Sequence, residues 1–208
     1  MFDGPFRAGP LPVVLRGGAE IADPVAVMAG FLRAYRIDAG DALPPASFAE
    51  ADLRRANRDG ARIAAAEIAA VLERRGAIEG ALRAIAPDAS LARGAVPWRE
   101  LARLFAAFAG IRGVGFSKMT KALHRKRPGL IPILDSVVQA YLADDLVPGA
   151  PFGERALGLV RGYKRDMDSN RAALRAARRE LARIGYEVTE VRILDGLIWS
   201  GHGGLPPE

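Results

Sequence analysis

Between Ile111 and Asp135 the chain gathers residue types suited to holding an anion and working beside it. Gly113-Val114-Gly115 sets two glycines around one apolar residue, so the backbone can reverse tightly while Val114 fills the gap beneath. A helix opening after Gly115 would direct unbonded amides and the positive end of its dipole outward, which suits a phosphate. Arg112, Ser117, Lys118 and Lys121 would add side-chain donors and charge around those amides. Asp135, 18 residues after Ser117, closes Pro132-Ile133-Leu134-Asp135 and has the composition of a helix N-cap.

The elements that must position these groups read as helices. Asp23 and Pro24 open one to Tyr35, with Val27, Phe31 and Leu32 on a shared face. Gly40 to Ser47 reads as a loop, and a further helical stretch opens at Ser47 or Glu50–Asp52. Asn57–Gly60 reads as a break. Helices are expected over Ala61–Arg75 and Gly76–Ile85, followed by a loop from Pro87 to Pro97. Over Arg99–Ala109, Leu101, Leu104, Phe105 and Phe108 recur at i, i+3, i+4, i+7, the best amphipathic pattern in the chain. Short helices follow near Ser117–His124 and from Asp135, with a longer one over Arg171–Ile184. Val188–Trp199 is apolar and suits a final helix or a strand. The fold class expected is all-α, one compact domain over 1–208 or two interleaved lobes, with residues 1–23 as an extended arm.

The 208 residues include no cysteine and two histidines, which excludes a disulfide framework, a thiolate nucleophile, cysteine zinc sites and a histidine-rich metal centre. No metal and no cofactor are expected. No apolar run approaches the roughly 20 residues of a membrane span. Residues 1–18 are rich in Gly and Pro without a signal-peptide core, so the expected location is the cytoplasm. The net charge of +6 is uneven. Arg99–Leu130 carries +7 and Arg161–Arg183 carries +5, leaving −6 elsewhere, so two basic segments are available to wall one phosphate-binding groove.

Ile111-Arg112-Gly113-Val114-Gly115, with Ser117 and the Pro132–Asp135 run at this spacing, resembles the helix-hairpin-helix (HhH-GPD) DNA glycosylase superfamily. The likeness covers about 40 residues, with the hairpin over 99–125, and Pro-Ile-Leu-Asp is closest to the adenine-glycosylase branch. Lys126-Arg127-Pro128 and Ile131 to Val138 also resemble an uncharacterised bacterial family annotated only as a domain of unknown function, over most of the chain. The superfamily likeness implies a two-lobed helical bundle without the iron–sulfur cluster. Its partner would be double-stranded DNA with a flipped target nucleotide, held by a monomer. Asp135 would stabilise the oxocarbenium-like transition state and activate water as the N-glycosidic bond breaks. Ser117 stands where bifunctional members carry lysine, which implies a monofunctional enzyme without Schiff-base chemistry. The base would be damaged or modified, a hypermodified phage base in host defence included.

Two other functions fit the same residues: a non-catalytic hairpin protein holding DNA by its backbone, and a helical protein binding RNA or an acidic protein through its basic faces. Around the motif, Trp98 and Trp199 suit core packing or a base-stacking pocket, and Asn57 and Asp59 suit a turn or a pocket. His124 reads as a phosphate contact or a solvated helix end, and Tyr163, Lys164 and Arg165 as a solvated loop or the second groove wall. Glu67, interrupting an Ala-rich face, reads as a surface residue or a second carboxylate.

Overall fold

The computed structural model describes residues 11–35 and 44–202. Residues 1–10 of the expected arm, the start of the Gly40 loop and the acidic Asp38 and Asp41 lie outside the described residues. The described chain is mostly helical: a small antiparallel hairpin, β1 (Val13–Val14) with β2 (Glu20–Ile21), precedes ten α-helices. These are α1 (Pro24–Ala34), α2 (Glu50–Arg58), α3 (Ala65–Glu73), α4 (Arg75–Arg83), α5 (Trp98–Ala106), α6 (Phe116–His124), α7 (Ser136–Tyr141), α8 (Phe152–Ser169), α9 (Arg171–Arg183) and α10 (Glu190–Gly201). The ambiguous segment after Val188 is therefore a helix. Among the described residues no helix is long and apolar enough to cross a membrane.

Within the segment expected as an arm, residues 13–21 form the hairpin, with Val13 and Leu15 buried. Its free edge has no third strand, and a side chain completes it. Asn170 accepts from the Val14 amide at 2.8 Å and donates to the Val14 carbonyl at 2.9 Å. Arg16 adds ion pairs to Asp145 (2.6 Å) and Asp166 (2.8 Å).

The helices pack in two sets. One runs α2, α3, α4 and α5, with α6 against α2; the other gathers α1, α7, α8 and α9 with α10. The α5–α8 contact joins them and is the closest in the molecule. A Cβ added to Gly153 of α8 would stand 3.0 Å from the Ala106 amide nitrogen and 3.1 Å from the Ala102 carbonyl. Gly158 and Gly162 repeat this closeness one and two turns on, where the 3-10 turn Ala143–Asp145 lies against α8.

The first set is pinned by charges buried in its interior. The Lys126 ammonium sits 2.7 Å from Asp52 and donates to the Pro44 carbonyl at 3.1 Å. The Arg127 guanidinium is 1 % exposed and donates to the carbonyls of Leu82, Ile85, Lys126 and Pro45 at 2.6 to 2.8 Å. It satisfies carbonyls at the end of α4 that have no intrahelical donor. Burial lowers the Arg127 pKa, and the four carbonyl acceptors offset the lost hydration. Replacing Arg127 with Leu leaves those acceptors buried without donors, at about 1–3 kcal/mol each where no water reaches them. The expected result is a loss of roughly 3 kcal/mol or more in urea unfolding, with Arg127→Lys intermediate.

Candidate functional site

The turn between α5 and α6 is built as its residue types require. Gly113 has φ +82°, and the Val114 amide donates to the Ile111 carbonyl at 3.1 Å. Val114 is buried, while Arg112, Gly113 and Gly115 are exposed. Gly115 caps α6, whose first backbone bond runs from the Met119 amide to the Gly115 carbonyl, so the preceding amides have no helical acceptor. Ser117 and Lys118 are half-buried on the first turn.

The lysines around this turn are bonded within the molecule. The Lys118 ammonium meets both oxygens of Glu67, at 2.7 and 2.6 Å. Glu67 also accepts from the Ala64 amide at the start of α3, and its carboxylate lies against Gly113, where a Cβ would meet Oε1 at 2.1 Å. The Lys118 ammonium holds the Glu67 pKa below its usual value. Lys121 donates to the Asp59 and Gly60 carbonyls at 3.2 and 3.3 Å, and Arg125 pairs with Asp59 at 3.2 Å. With Lys126 and Arg127, most of the basic charge around the hairpin is therefore spent on acids and carbonyls of α2, α3 and α4.

From the end of α6 the chain crosses as an extended segment, Ile131 to Asp135, most of it buried. No strand pairs with it, so side chains take up its polar groups. The Ile131 carbonyl lies 2.6 Å from His124 Nδ1, which must carry the proton because a carbonyl only accepts. His124 is 1 % exposed, so it is neither the solvated helix end nor the phosphate contact that its neighbours suggested. Pro132 has no amide proton to satisfy. The Ile133 amide donates to Asp195 Oδ2 at 3.2 Å. Leu134 is held from both sides: its amide donates to Thr120 Oγ1 at 3.0 Å, and its carbonyl accepts from Gln139 at 2.8 Å. Asp135 is thereby fixed at the N-cap of α7, its Oδ1 accepting from the Val138 amide at 3.0 Å.

Asp135 lines a cavity of about 220 Å³ where the two helix sets meet. Phe31 and Tyr35 of α1 and Trp199 of α10 form its aromatic side, each ring 5.0 to 5.9 Å from the other two. Lys121, Asp59 and Gly60 line it from the α2 and α6 side, and Arg192 and Asp195 from α10. The Arg192 guanidinium lies 4.8 Å from the centroid of Phe31. Among the described residues no cluster of metal-ligating side chains occurs.

Asp195 is the site residue that the sequence reading missed. It is 4 % exposed, and its Oδ1 has no hydrogen-bond partner among the described residues. Burial pushes its carboxyl up to about 7 against the pull of Arg192, the Ile133 amide and Tyr163, with Asp135 adding to the rise. The single Tyr163 hydroxyl proton is committed to the Val191 carbonyl at 2.6 Å, so its influence on Asp195 acts from beside the carboxyl. A signal was present in the sequence: Arg192, Asp195 and Trp199 stand at i, i+3, i+7 in an otherwise apolar helix and so share one face.

The remaining expected positions separate. Trp199 lines the cavity, whereas Trp98 packs beneath Arg161, 5.5 Å from ring centroid to guanidinium. Asn57 closes its turn, accepting from the Ile63 amide and donating to the Ile63 carbonyl, while Asp59 reaches the cavity. Tyr163 is fully buried, and Lys164 and Arg165 pair with Asp168 and Asp145 on α8 rather than lying on a loop.

A family model described as a family of unknown function (DUF6308) matches residues 44–202. The chain belongs to this family. The match takes in α2 to α10, and with them the hairpin turn, Asp135, Asp195 and Trp199 of the DUF6308 fold. It agrees with the likeness to an uncharacterised bacterial family, and none of the comparisons carries a DNA glycosylase match. No curated protein and no solved structure matches the chain.

The raised Asp195 pKa has a consequence for folding. Above the ordinary carboxylate range the unfolded chain carries this group ionised, while the fold favours it neutral, so its contribution to stability declines as pH rises through about 7. Asp195→Asn keeps an oxygen for the Ile133 amide without the charge. Its urea midpoint relative to the native chain is expected to be higher at about pH 8 than at about pH 5.

Proposed function

We propose that this chain is a monofunctional DNA N-glycosylase that flips a damaged or modified base into the cavity between its two helical lobes. The observation that carries this reading is the position of Asp135. It is held at a helix start on the wall of a cavity faced by three aromatic rings, 18 residues beyond Ser117 at the hairpin. The aromatic side offers stacking surface to an unstacked base. The cap occupies Asp135 Oδ1, and the other oxygen takes no hydrogen bond among the described residues. That oxygen is placed to face positive charge developing at the sugar C1′ and to receive a proton from the attacking water. The exposed amides of the Gly113–Gly115 turn and the start of α6 would seat a backbone phosphate, with Arg112, Ser117 and Lys118 around it.

Incubation with duplexes carrying damaged and modified bases, followed by alkali, tests the reading. Strand breaks are expected with the native chain, and Asp135→Asn is expected to lower their rate by about 10²-fold or more. Alkali-labile sites absent from every duplex, or an equally active Asn variant, would oppose the enzyme and the residue respectively. Borohydride is expected to trap no covalent adduct, since no lysine occupies the Ser117 position.

Glu67 bears on DNA affinity because its carboxylate shares Lys118 with any phosphate that docks at the turn. Glu67→Gln removes one like charge, worth roughly 1 kcal/mol at this distance, and is expected to tighten duplex binding about fivefold at low salt. Fluorescence anisotropy checks this, and unchanged affinity would place the phosphate elsewhere.

A further inference from the structure

Two carboxyl groups line the cavity, and the reaction proposed above uses only one. We propose that Asp195 is a second catalytic group, the general acid that passes a proton from Oδ1 to a ring nitrogen of the departing base. This rests on the glycosylase reading and deepens it, because it selects a class of base.

The geometry assigns the two oxygens different work. The Ile133 amide donates to Oδ2, which is therefore the acceptor oxygen, and the proton of the neutral form belongs on Oδ1. Oδ1 has no partner among the described residues, although Asp195 is 4 % exposed and lines the cavity. A buried oxygen left in this way costs folding energy unless something that enters the cavity bonds to it. The ionisable groups facing it are Arg192 on its own helix, Tyr163 on α8 and Asp135 before α7. Across the cavity stand Lys121, Asp59 and Tyr35. Their sum leaves the carboxyl titrating at about 7, where it still carries its proton for a useful fraction of the time at neutral pH. Two neighbouring carboxyl groups with separated titrations are the usual arrangement for an acid beside an anion.

The step balances without any further reactant. As the bond from C1′ to the base nitrogen breaks, its electron pair goes to the base, and the Asp195 Oδ1 proton neutralises that base at a ring nitrogen. Water adds its oxygen to C1′ and gives a proton to Asp135. Solvent then takes the proton from Asp135 and returns one to Asp195. The products are the free neutral base and an abasic sugar. Acid assistance helps most where the base has a basic ring nitrogen, so the substrates inferred are amino-bearing bases of the cytosine and adenine classes and their modified forms. Uracil-like bases, which leave as stabilised anions, gain least.

Single-turnover excision between about pH 5 and 9, on duplexes carrying modified cytosine, modified adenine and uracil, tests this. The native chain is expected to act faster on the amino-bearing bases and to lose rate as pH rises through about 7. Asp195→Asn is expected to lower that rate by about 10²-fold or more and to remove the limb near neutrality, with duplex affinity kept. A native rate on amino-bearing bases that is flat with pH overturns the proposal, whether or not the variant folds. Excision abolished in Asp135→Asn but unaltered in a folded Asp195→Asn overturns it while leaving the glycosylase reading intact. No excision by the native chain from any duplex overturns both.

Discussion

The candidate site depends on a buried stretch of extended chain with nothing to pair with. Ile131 to Asp135 crosses the interior between α6 and α7, and its backbone groups cannot be left bare there. Neighbouring side chains supply the partners: His124 and Thr120 from α6, Asp195 from α10 and Gln139 from α7. Each contact also fixes where Asp135 stands. A change that loosens any one of them moves the carboxylate and exposes a polar orphan together, so stability and site geometry are tied at this segment. Thr120 is bound on both sides, since its hydroxyl donates to the Phe116 carbonyl at 2.8 Å while accepting from Leu134.

Much of the fold was legible because its helices follow local rules. Asp23 and Asp135 cap their helices as read, accepting from the Ala26 and Val138 amides, and the α5 stripe is buried as its spacing requires. The longest helix, α8, was not read at all. Gly153, Gly158 and Gly162 depress its helix propensity, and their purpose is long-range: they admit the backbone of α5 and the turn at Asp145. The onset of α3 also shifted, because residues 61–64 are held outside the helix, with Arg62 at φ +55° and Ile63 bonded to Asn57.

The site was legible only in part, and the reason is that charge is a poor guide to exposure. Basic residues between Arg99 and Leu130 suggested a solvated, anion-seeking face. Lys126 and Arg127 instead turn inward to Asp52 and to helix-end carbonyls, and Lys118 turns to Glu67. Their partners lie 42 to 82 residues away along the chain, beyond any local pattern. Asp195 was overlooked for the converse reason. A single acid in an apolar helix reads as interruption until the neighbouring segment supplies the amide that it holds.

The cavity draws its walls from two sources of different standing. Asp135, Asp195, Arg192 and Trp199 fall within the span that the family model matches, whereas Phe31 and Tyr35 come from α1, which precedes it. Polar groups and part of the aromatic cover are thus encoded in separable stretches of sequence. The charged apparatus can stay constant while the cover is exchanged, so the fold has the makings of a common mount with interchangeable apertures.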